Sequence, residues 1–425
     1  MYFIYSVLLA AVLLAGLPYW LWQMLRHGKY RTALRERLGK VPKRLMQPAE
    51  QSSIWVHAVS VGEVLAVNQL VEELRRQFPQ YRVVISTTTD TGQSLAQSRF
   101  GEENVFYFPL DFASAIRPYL QALKTKLVVI AETEFWPNFL RQARQSGARL
   151  AVVNARISDR SLAGYRRWRW FLRKILAHVD LFLCQGEEDR RRLIEIGAQR
   201  ERVEVAGNLK YDAPAPAAAA IVTNLRSAFQ EGEAGPILVC GSTVEDEEPL
   251  LLRAFTNVLA SYPRAVMILA PRHPERFDEV AHLLQELGGR SWRRSLWNGE
   301  AIHGGVLLLD SIGELASVYA LAEIAFVGGS LVPRGGHNIL EPAQHGVAIV
   351  VGNHTENFRD IVGLFQSRGA VRVVGPAELP LAFMELVANL AERQAMGQRA
   401  AEAVREQLGA TSRTMKALSG LLNRG

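Results

Sequence analysis

Between residues 53 and 374 the sequence keeps returning to one pattern: a short apolar run, a turn, then a stretch with helical spacing. The runs lie at 53–59, 82–87, 105–108, 127–131, 150–154, 181–185 and 203–206, and then at 237–240, 265–270, 306–310, 324–328, 347–351 and 370–374. Short, continuously apolar strands separated by helices specify parallel sheets covered on both faces. The alternation is interrupted once, by the small-residue segment from Asp212 to Ala220, which carries two prolines and reads as an interdomain connection. The expected organisation is a membrane anchor at 1–25, a basic flank at 26–50, an α/β domain at 51–211, a linker at 212–232, and a second α/β domain with terminal helices at 233–425. No short-period repeat is present, which excludes solenoids and propellers.

In open α/β sheets ligands gather beyond the carboxyl ends of the strands, so the turns after the runs hold the candidate chemistry. The first is HAVSVGEVLA, residues 57–66, where Glu63 stands as the lone carboxylate between a strand and a helix. Ser60 and Glu63 also have the spacing of a capping box, so a structural and a chemical role compete there. Its place at a helix N-terminus predicts a carboxylate that stays ionised at neutral pH, with lowered basicity. Further along the first domain, Glu132 and Glu134 in IAETEFWPN, Arg156 in NARIS and the turn STTTDTG at 86–92 end strands. These polar groups suit a polyhydroxylated or phosphorylated acceptor.

The second domain carries a different set. Ser242 and Thr243 follow ILVCG, and the acids 245–248 are expected on the next helix. Arg272 and His273 follow AVMILAP, and their side chains can fork onto or donate to a phosphate. Gly313 opens a turn after VLLLD, and Gly329 and Ser330 end FVGGS. Asn338 and Glu341, three apart, can share one side of a helix start, where a carboxylate suits ribose hydroxyls. Each alone reads equally as a turn, a cap or a surface ion pair; together they point to a nucleotide site. Neither Gly-x-Gly-x-x-Gly nor a P-loop occurs at these turns, which argues against dinucleotide and ATPase chemistry. No cluster has metal-ligand spacing, and the two cysteines, Cys184 and Cys240, form no framework. No metal and no cofactor is expected.

The chain's formal charge of +7 points to acidic partners. Residues 2–25 are uncharged and long enough to cross a hydrocarbon core of about 30 Å. They lack the basic start and cleavage site of a removable signal. The lysines and arginines of 26–44 would keep that flank cytoplasmic. The expectation is a single spanning anchor in an inner membrane with cytoplasmic domains; a segment lying in one leaflet is the competing reading. Residues 165–174 interleave Tyr165, Trp168, Trp170 and Phe171 with arginines and a lysine. They read either as a basic helix with inward aromatics or as contact with an anionic membrane surface. Nucleic acid is not an expected partner.

With these residues in place, the chain resembles the 3-deoxy-D-manno-oct-2-ulosonic acid (Kdo) transferases of lipopolysaccharide synthesis. The resemblance rests on HAVSVGEV at 57–64, ETEFWPN at 132–138, NARISDRS at 154–161, GNLKYD at 207–212, GST at 241–243, PRHPERF at 271–277, FVGGSL at 326–331 and GGHNILEP at 335–342. It implies a GT-B fold, two Rossmann-like domains facing across a cleft, with CMP-Kdo as donor, a lipid A precursor as acceptor, and inversion at the anomeric carbon. By the same resemblance Glu63 is the general base, and Glu132, Glu134, Arg156 and Lys210 fall in motifs of the acceptor side. Ser242, Thr243, Arg272, His273, Gly313, Gly329, Ser330, Asn338 and Glu341 fall in CMP-binding motifs. The leaving phosphate's charge would then go to Arg272, the Gly-Ser amides and a helix N-terminus. A GT-B enzyme using a UDP-sugar and a non-catalytic lipid-binding protein are the rival readings.

Overall fold

The structure, a computed structural model, describes residues 1–27, 34–46, 51–212 and 220–423. The chain forms two compact units, one of residues 1–213 with 407–425, the other of 214–406. Part of the basic flank (28–33 and 47–50) and the proline-rich stretch 213–219 lie outside the described residues.

The first unit is built on strands β1 (Ser53–His57), β2 (Arg82–Thr87), β3 (Val105–Tyr107), β4 (Thr125–Ala131), β5 (Arg149–Ala155), β6 (Leu181–Cys184) and β7 (Val203–Val205). They pair in parallel in the order β3-β2-β1-β4-β5-β6-β7. The order reverses between β1 and β4, the place where an open parallel sheet leaves a crevice. Alternate side chains of the strands feed two cores. Trp55 on one face meets Phe106, Tyr119 and Phe139 at centroid distances of 5.2, 6.1 and 4.8 Å. Its indole N–H donates to Ser86 Oγ at 2.7 Å. Removing such a side chain costs about 3–5 kcal/mol. On the other face Ile54, Val56 and Ile85 pack with Val67, Leu70 and Leu74 of the helix Val61–Gln77.

The second unit has β8 (Ile237–Thr243), β9 (Val266–Pro271), β10 (Ser291–Arg293), β11 (Gly305–Leu308), β12 (Ile324–Val327), β13 (Ala348–Val351) and β14 (Val371–Val373). Their order is β10-β11-β9-β8-β12-β13-β14, again all parallel, with the reversal between β8 and β12. β10 has no counterpart in the sequence reading, because Ser-Trp-Arg is a three-residue edge strand with no apolar run to mark it.

Two boundaries differ from the sequence reading. Residues 220–231 are a helix whose Ile221, Leu225 and Phe229 are buried in the second unit's core, so the linker ends earlier than 232. The final helix, Ala410–Asn423, belongs to the first unit, where Met415 and Leu418 join the core beneath the sheet. The Asp212 carboxylate accepts from the amides of Gly409, at 2.7 Å, and Thr411, and Arg413 Nε donates to Ala206 O at 2.7 Å. Amphipathic spacing reveals an apolar face but not which sheet receives it.

The N-terminal segment is a helix, Tyr2–His27, and among the described residues no helix is long and apolar enough to cross a membrane. The spanning anchor expected from the sequence is therefore not found. Near the start of this helix Tyr2 Oη lies 2.6 Å from His178 Nε2, Asn138 Nδ2 donates to Ser6 Oγ at 3.0 Å, and Arg141 sits 4.6 Å over the Tyr2 ring. These contacts join the start of the helix to the first unit.

Candidate active site

In the first unit the reversal point is lined by the turns that leave β1 and β4. Ser60 caps the helix Val61–Gln77, in extended conformation, and Glu63 occupies its third position. The carboxylate reaches back: Ser60 Oγ donates to Glu63 Oε1 at 2.9 Å and the Val59 amide donates to Oε2 at 2.8 Å. The capping box is thus real, with the amide before the cap as donor. Glu63 is only 8% exposed. Burial raises its pKa to about 7, with Glu132 and Glu134 adding to the rise and the Val59 and Ser60 donors opposing it. This corrects the expectation of a strongly ionised carboxylate, since desolvation and two like charges outweigh the helix terminus. A carboxylate that titrates near neutrality is the stronger base.

Glu132 directly follows β4 with a left-handed backbone, φ 55°, and Asn154 on neighbouring β5 has the same φ. Non-glycine residues held there store strain, which concentrates at functional sites. The strain is retained by a network: the Leu209 amide donates to Asn154 Oδ1 at 3.0 Å, Gln185 Nε2 to Asn154 O at 3.1 Å, and Asn208 Nδ2 to Gln185 Oε1 at 3.0 Å. Asn208 Oδ1 in turn receives the Lys210 amide at 3.0 Å, which brings Lys210 Nζ to 3.5 Å from Glu132 Oε1. Burial and the charge of Glu132 raise the Glu134 pKa. Arg156 follows β5, and its carbonyl accepts from Thr133 Oγ1 at 3.0 Å. Glu63, Glu132, Glu134, Arg156 and Lys210 therefore share one edge of one sheet. Asn154 opens the NARIS stretch already read as a strand end, whereas Asn208, which also holds that edge in shape, was not singled out by residue type.

Also absent from the sequence reading is His57 at the end of β1. It is fully buried, stacked on Phe108 at 4.1 Å, with Nδ1 2.9 Å from Ser86 Oγ, and burial lowers its pKa to about 3. It is a neutral histidine at every physiological pH.

The second unit's edge is arranged differently from expectation. Gly241 lies inside β8, where an added Cβ would meet Tyr319 Oη at 2.1 Å, so only glycine fits. Ser242 takes the left-handed conformation at φ 56° and shifts the register with β9. Thr243 is buried and its hydroxyl donates to Glu248 Oε1 at 2.9 Å, a carboxylate also held by Arg276 at 2.6 Å. That hydroxyl points inward and is not free for a nucleotide. The amides of Gly329 and Ser330 are taken as well: they donate to Glu247 Oε2 and Oε1 at 2.7 and 2.9 Å. An anion cannot use them, because a buried internal carboxylate already fills the place.

The cations remain. Arg272 and His273 stand exposed beyond β9, whose end is tied to β8 by the Arg272 amide donating to Thr243 O at 2.8 Å. His337 was passed over in the sequence reading, although it sits inside GGHNILEP. Its Nε2 is buried and has no hydrogen-bond partner among the described residues. Burial, then the charges of Arg272 and His273, lower its pKa to about 4, which places the three groups near one another. Asn338 Nδ2 donates to Glu341 Oε1 at 3.2 Å while its Oδ1 accepts the Leu340 amide at 3.1 Å. Burial raises the Glu341 pKa and Arg272 counters it. Gly313 has φ 90° and open space around it, so its requirement is conformational.

Two Rossmann-like units, each with polar side chains gathered at its reversal point, define a chain of the GT-B type. Solved structures of similar fold include the UDP-GlcNAc 2-epimerase from Neisseria meningitidis bound to UDP-GlcNAc, with TM-score 0.57 and 13% identity over 88% of this chain and 100% of that one. A glycosyltransferase from Rickettsia africae has TM-score 0.54 and 13% identity over 87% and 98%. At those identities they establish the fold alone. Residues 32–213 match the family model of 3-deoxy-D-manno-octulosonic-acid transferase. The 3-deoxy-D-manno-octulosonic acid transferase of Bordetella pertussis is 36% identical over 420 residues, covering 95% of each chain. That of Haemophilus influenzae is 33% identical over 400 residues, covering 93% of each. The chain belongs to the 3-deoxy-D-manno-octulosonic acid transferase family.

Proposed function

We propose that this protein transfers Kdo from CMP-Kdo to a lipid A precursor, with inversion at the anomeric carbon, at the cytoplasmic face of the inner membrane. The observation that carries the reading is Glu63, a buried carboxylate with its pKa raised to about 7 at the reversal point of the first sheet. Glu63 leaves the Ser60 hydroxyl and takes the proton of the acceptor alcohol as that oxygen attacks the anomeric carbon. The sugar passes through an oxocarbenium-like transition state, and CMP departs with new charge on its phosphate. Arg272 and His273 answer that charge directly, joined by His337, whose Nε2 is unpartnered among the described residues. Lys210, held 3.5 Å from Glu132, and Arg156 supply positive charge on the acceptor side, suited to a phosphorylated glycolipid.

The membrane enters as a surface that the first unit lies against. Phe3, Ile4, Val7, Leu8 and Val12 of the N-terminal helix are exposed, as are Trp168 and Trp170. Around the tryptophans Arg166, Arg167, Arg169, Arg173 and Lys174 are exposed, while Tyr165 and Phe171 pack against the core. Outward tryptophans among cations suit an anionic headgroup layer. A helix resting in the cytoplasmic leaflet accommodates both its apolar exposure and its polar contacts with the unit.

The test is incubation of purified protein with CMP-Kdo and a tetraacylated lipid A precursor, read by product mass. Mass increments of whole Kdo residues with release of CMP are expected. Thermal stabilisation by UDP and none by CMP would overturn the donor assignment.

A further inference from the structure

The buried carboxylate of Glu247 has no part in the chemistry above, yet it is heavily engaged at the second unit's edge. It lies in the turn after β8, just before the helix Glu248–Ser261, and is fully buried. Its two oxygens accept four backbone N–H groups: Val244 at 3.1 Å and Gly329 at 2.7 Å on Oε2, Ser330 and Leu331 at 2.9 Å each on Oε1. One donor comes from its own turn and three from the loop after β12. These are the two strands between which the sheet order reverses.

We infer that Glu247 is a positioning residue that fixes the loop 328–331 against the turn 241–247, and thereby holds the nucleotide-binding edge in its working shape. The loop packs tightly there. A Cβ at Gly328 would lie 2.5 Å from Ser242 O and 2.8 Å from Glu247 Oε2, so the two backbones touch. Gly329 is left-handed at φ 68°, and a Cβ there would lie 2.8 Å from the His337 ring. The Gly336 amide donates to Gly329 O at 2.7 Å, the His354 amide to Ser330 O at 2.9 Å, and the Gly352 amide to Ser330 Oγ at 2.8 Å. The placement of Gly336 and His337 thus follows from that of Gly329, and that of Gly329 from Glu247.

Four converging amides are an anion site in other proteins. Here the protein supplies the anion itself, which leaves the donor's phosphate to the side-chain cations. A neutral isostere cannot serve, since a glutamine has one acceptor oxygen and turns an NH2 group toward N–H donors. Deleting the side chain leaves four amides around a space the size of a small carboxylate.

This inference rests on the CMP-donor reading, and the experiment separates the two. CMP binding is titrated calorimetrically, and donor KM and kcat are measured, for wild type, Glu247→Gln and Glu247→Ala, with and without acetate. CMP affinity and donor KM should worsen about ten- to a hundredfold in both variants, as expected for lost hydrogen bonds to a charge. Acceptor KM and kcat at saturating donor should hold within about threefold, the signature of a binding-side loss. Acetate should restore CMP binding to Glu247→Ala in a saturable manner and leave wild type and Glu247→Gln unchanged. If Glu247→Ala does not fold, the isosteric Glu247→Gln carries the KM-against-kcat split. Wild-type CMP affinity in Glu247→Gln overturns the inference alone, as does an equal fall in donor and acceptor parameters with no response to acetate. No CMP binding by wild type overturns the donor reading and this inference with it.

Discussion

Glu63 and Glu247 each follow the first strand of a seven-stranded parallel sheet, and each stands at or just before the start of the next helix. The donors around them differ. Glu63 accepts one backbone amide and one hydroxyl and shares its surroundings with Glu132 and Glu134. Glu247 accepts four backbone amides. Burial raises both pKa values, but for Glu63 two like charges reinforce the rise, whereas for Glu247 the amides oppose it. A carboxylate with two donors and acidic neighbours can exchange a proton near neutrality. One enclosed by four amides is committed to holding backbone in place. The same residue type at corresponding positions thus meets two surroundings, one suited to proton exchange and one to holding backbone.

The comparison is broken most sharply at Glu63. Glu63→Gln should lower turnover by about 10²–10⁴-fold, as expected for loss of a general base, in a single-turnover assay with the lipid acceptor. The same variant should gain stability at pH 8. The sign comes from a folded pKa of about 7 above an ordinary value of 4.5. Between those values the unfolded chain ionises first, so stability falls as pH rises through the window and stays lowered above it. The ionised form of Glu63 therefore costs about 3 kcal/mol at pH 8 and nothing near pH 4. Denaturant unfolding of wild type and variant at both pH values checks this; equal stabilities at pH 8 would make Glu63 an ordinary cap.

A second effect concerns the proton itself. kcat/KM should climb with pH to a plateau, with its midpoint near the Glu63 value of about 7. Glu132→Gln should move that midpoint to lower pH, because it removes a like charge. A midpoint indifferent to Glu132 would mean the two carboxylates do not share a site.

On the other unit, Arg272→Lys keeps the charge but loses the planar fork, and should raise donor KM about tenfold. An unchanged KM would leave His273 and His337 as the phosphate's holders. The smallest effect is expected away from both sheets: Trp168→Ala with Trp170→Ala should weaken binding to anionic phospholipid vesicles several-fold, on the scale of two interfacial side chains. Retention on neutral vesicles should change less. Equal losses on both would remove the case for headgroup recognition.

Much of this molecule was readable from residue order. Runs such as LVVIA and LAVVN lie where β4 and β5 form, and β10 alone escaped, being too short to carry a periodicity. Glu63, Glu132, Glu134 and Arg156 were expected at strand ends and Lys210 from its family motif, and the five do gather at one edge. Glu247 was not anticipated, because an acidic run such as Glu245-Asp246-Glu247-Glu248 usually marks a solvated helix face. Here the first two are exposed and the last two buried. Nor could the sequence foretell that the Gly329 and Ser330 amides would be occupied from within, since their partner lies more than eighty positions away.

What the amino-acid order determined was local: the short apolar runs and 3.6-residue periods that make strands and helices, the cap at Ser60, and the glycines at sharp turns. Family membership came from the same short motifs. Only the folded chain decided the basicity of Glu63, the sheet that receives the final helix, and the resting place of the N-terminal helix. Periodicity is written by neighbours along the chain, whereas desolvation, like-charge crowding and hydrogen-bond supply are set by groups that meet only after folding.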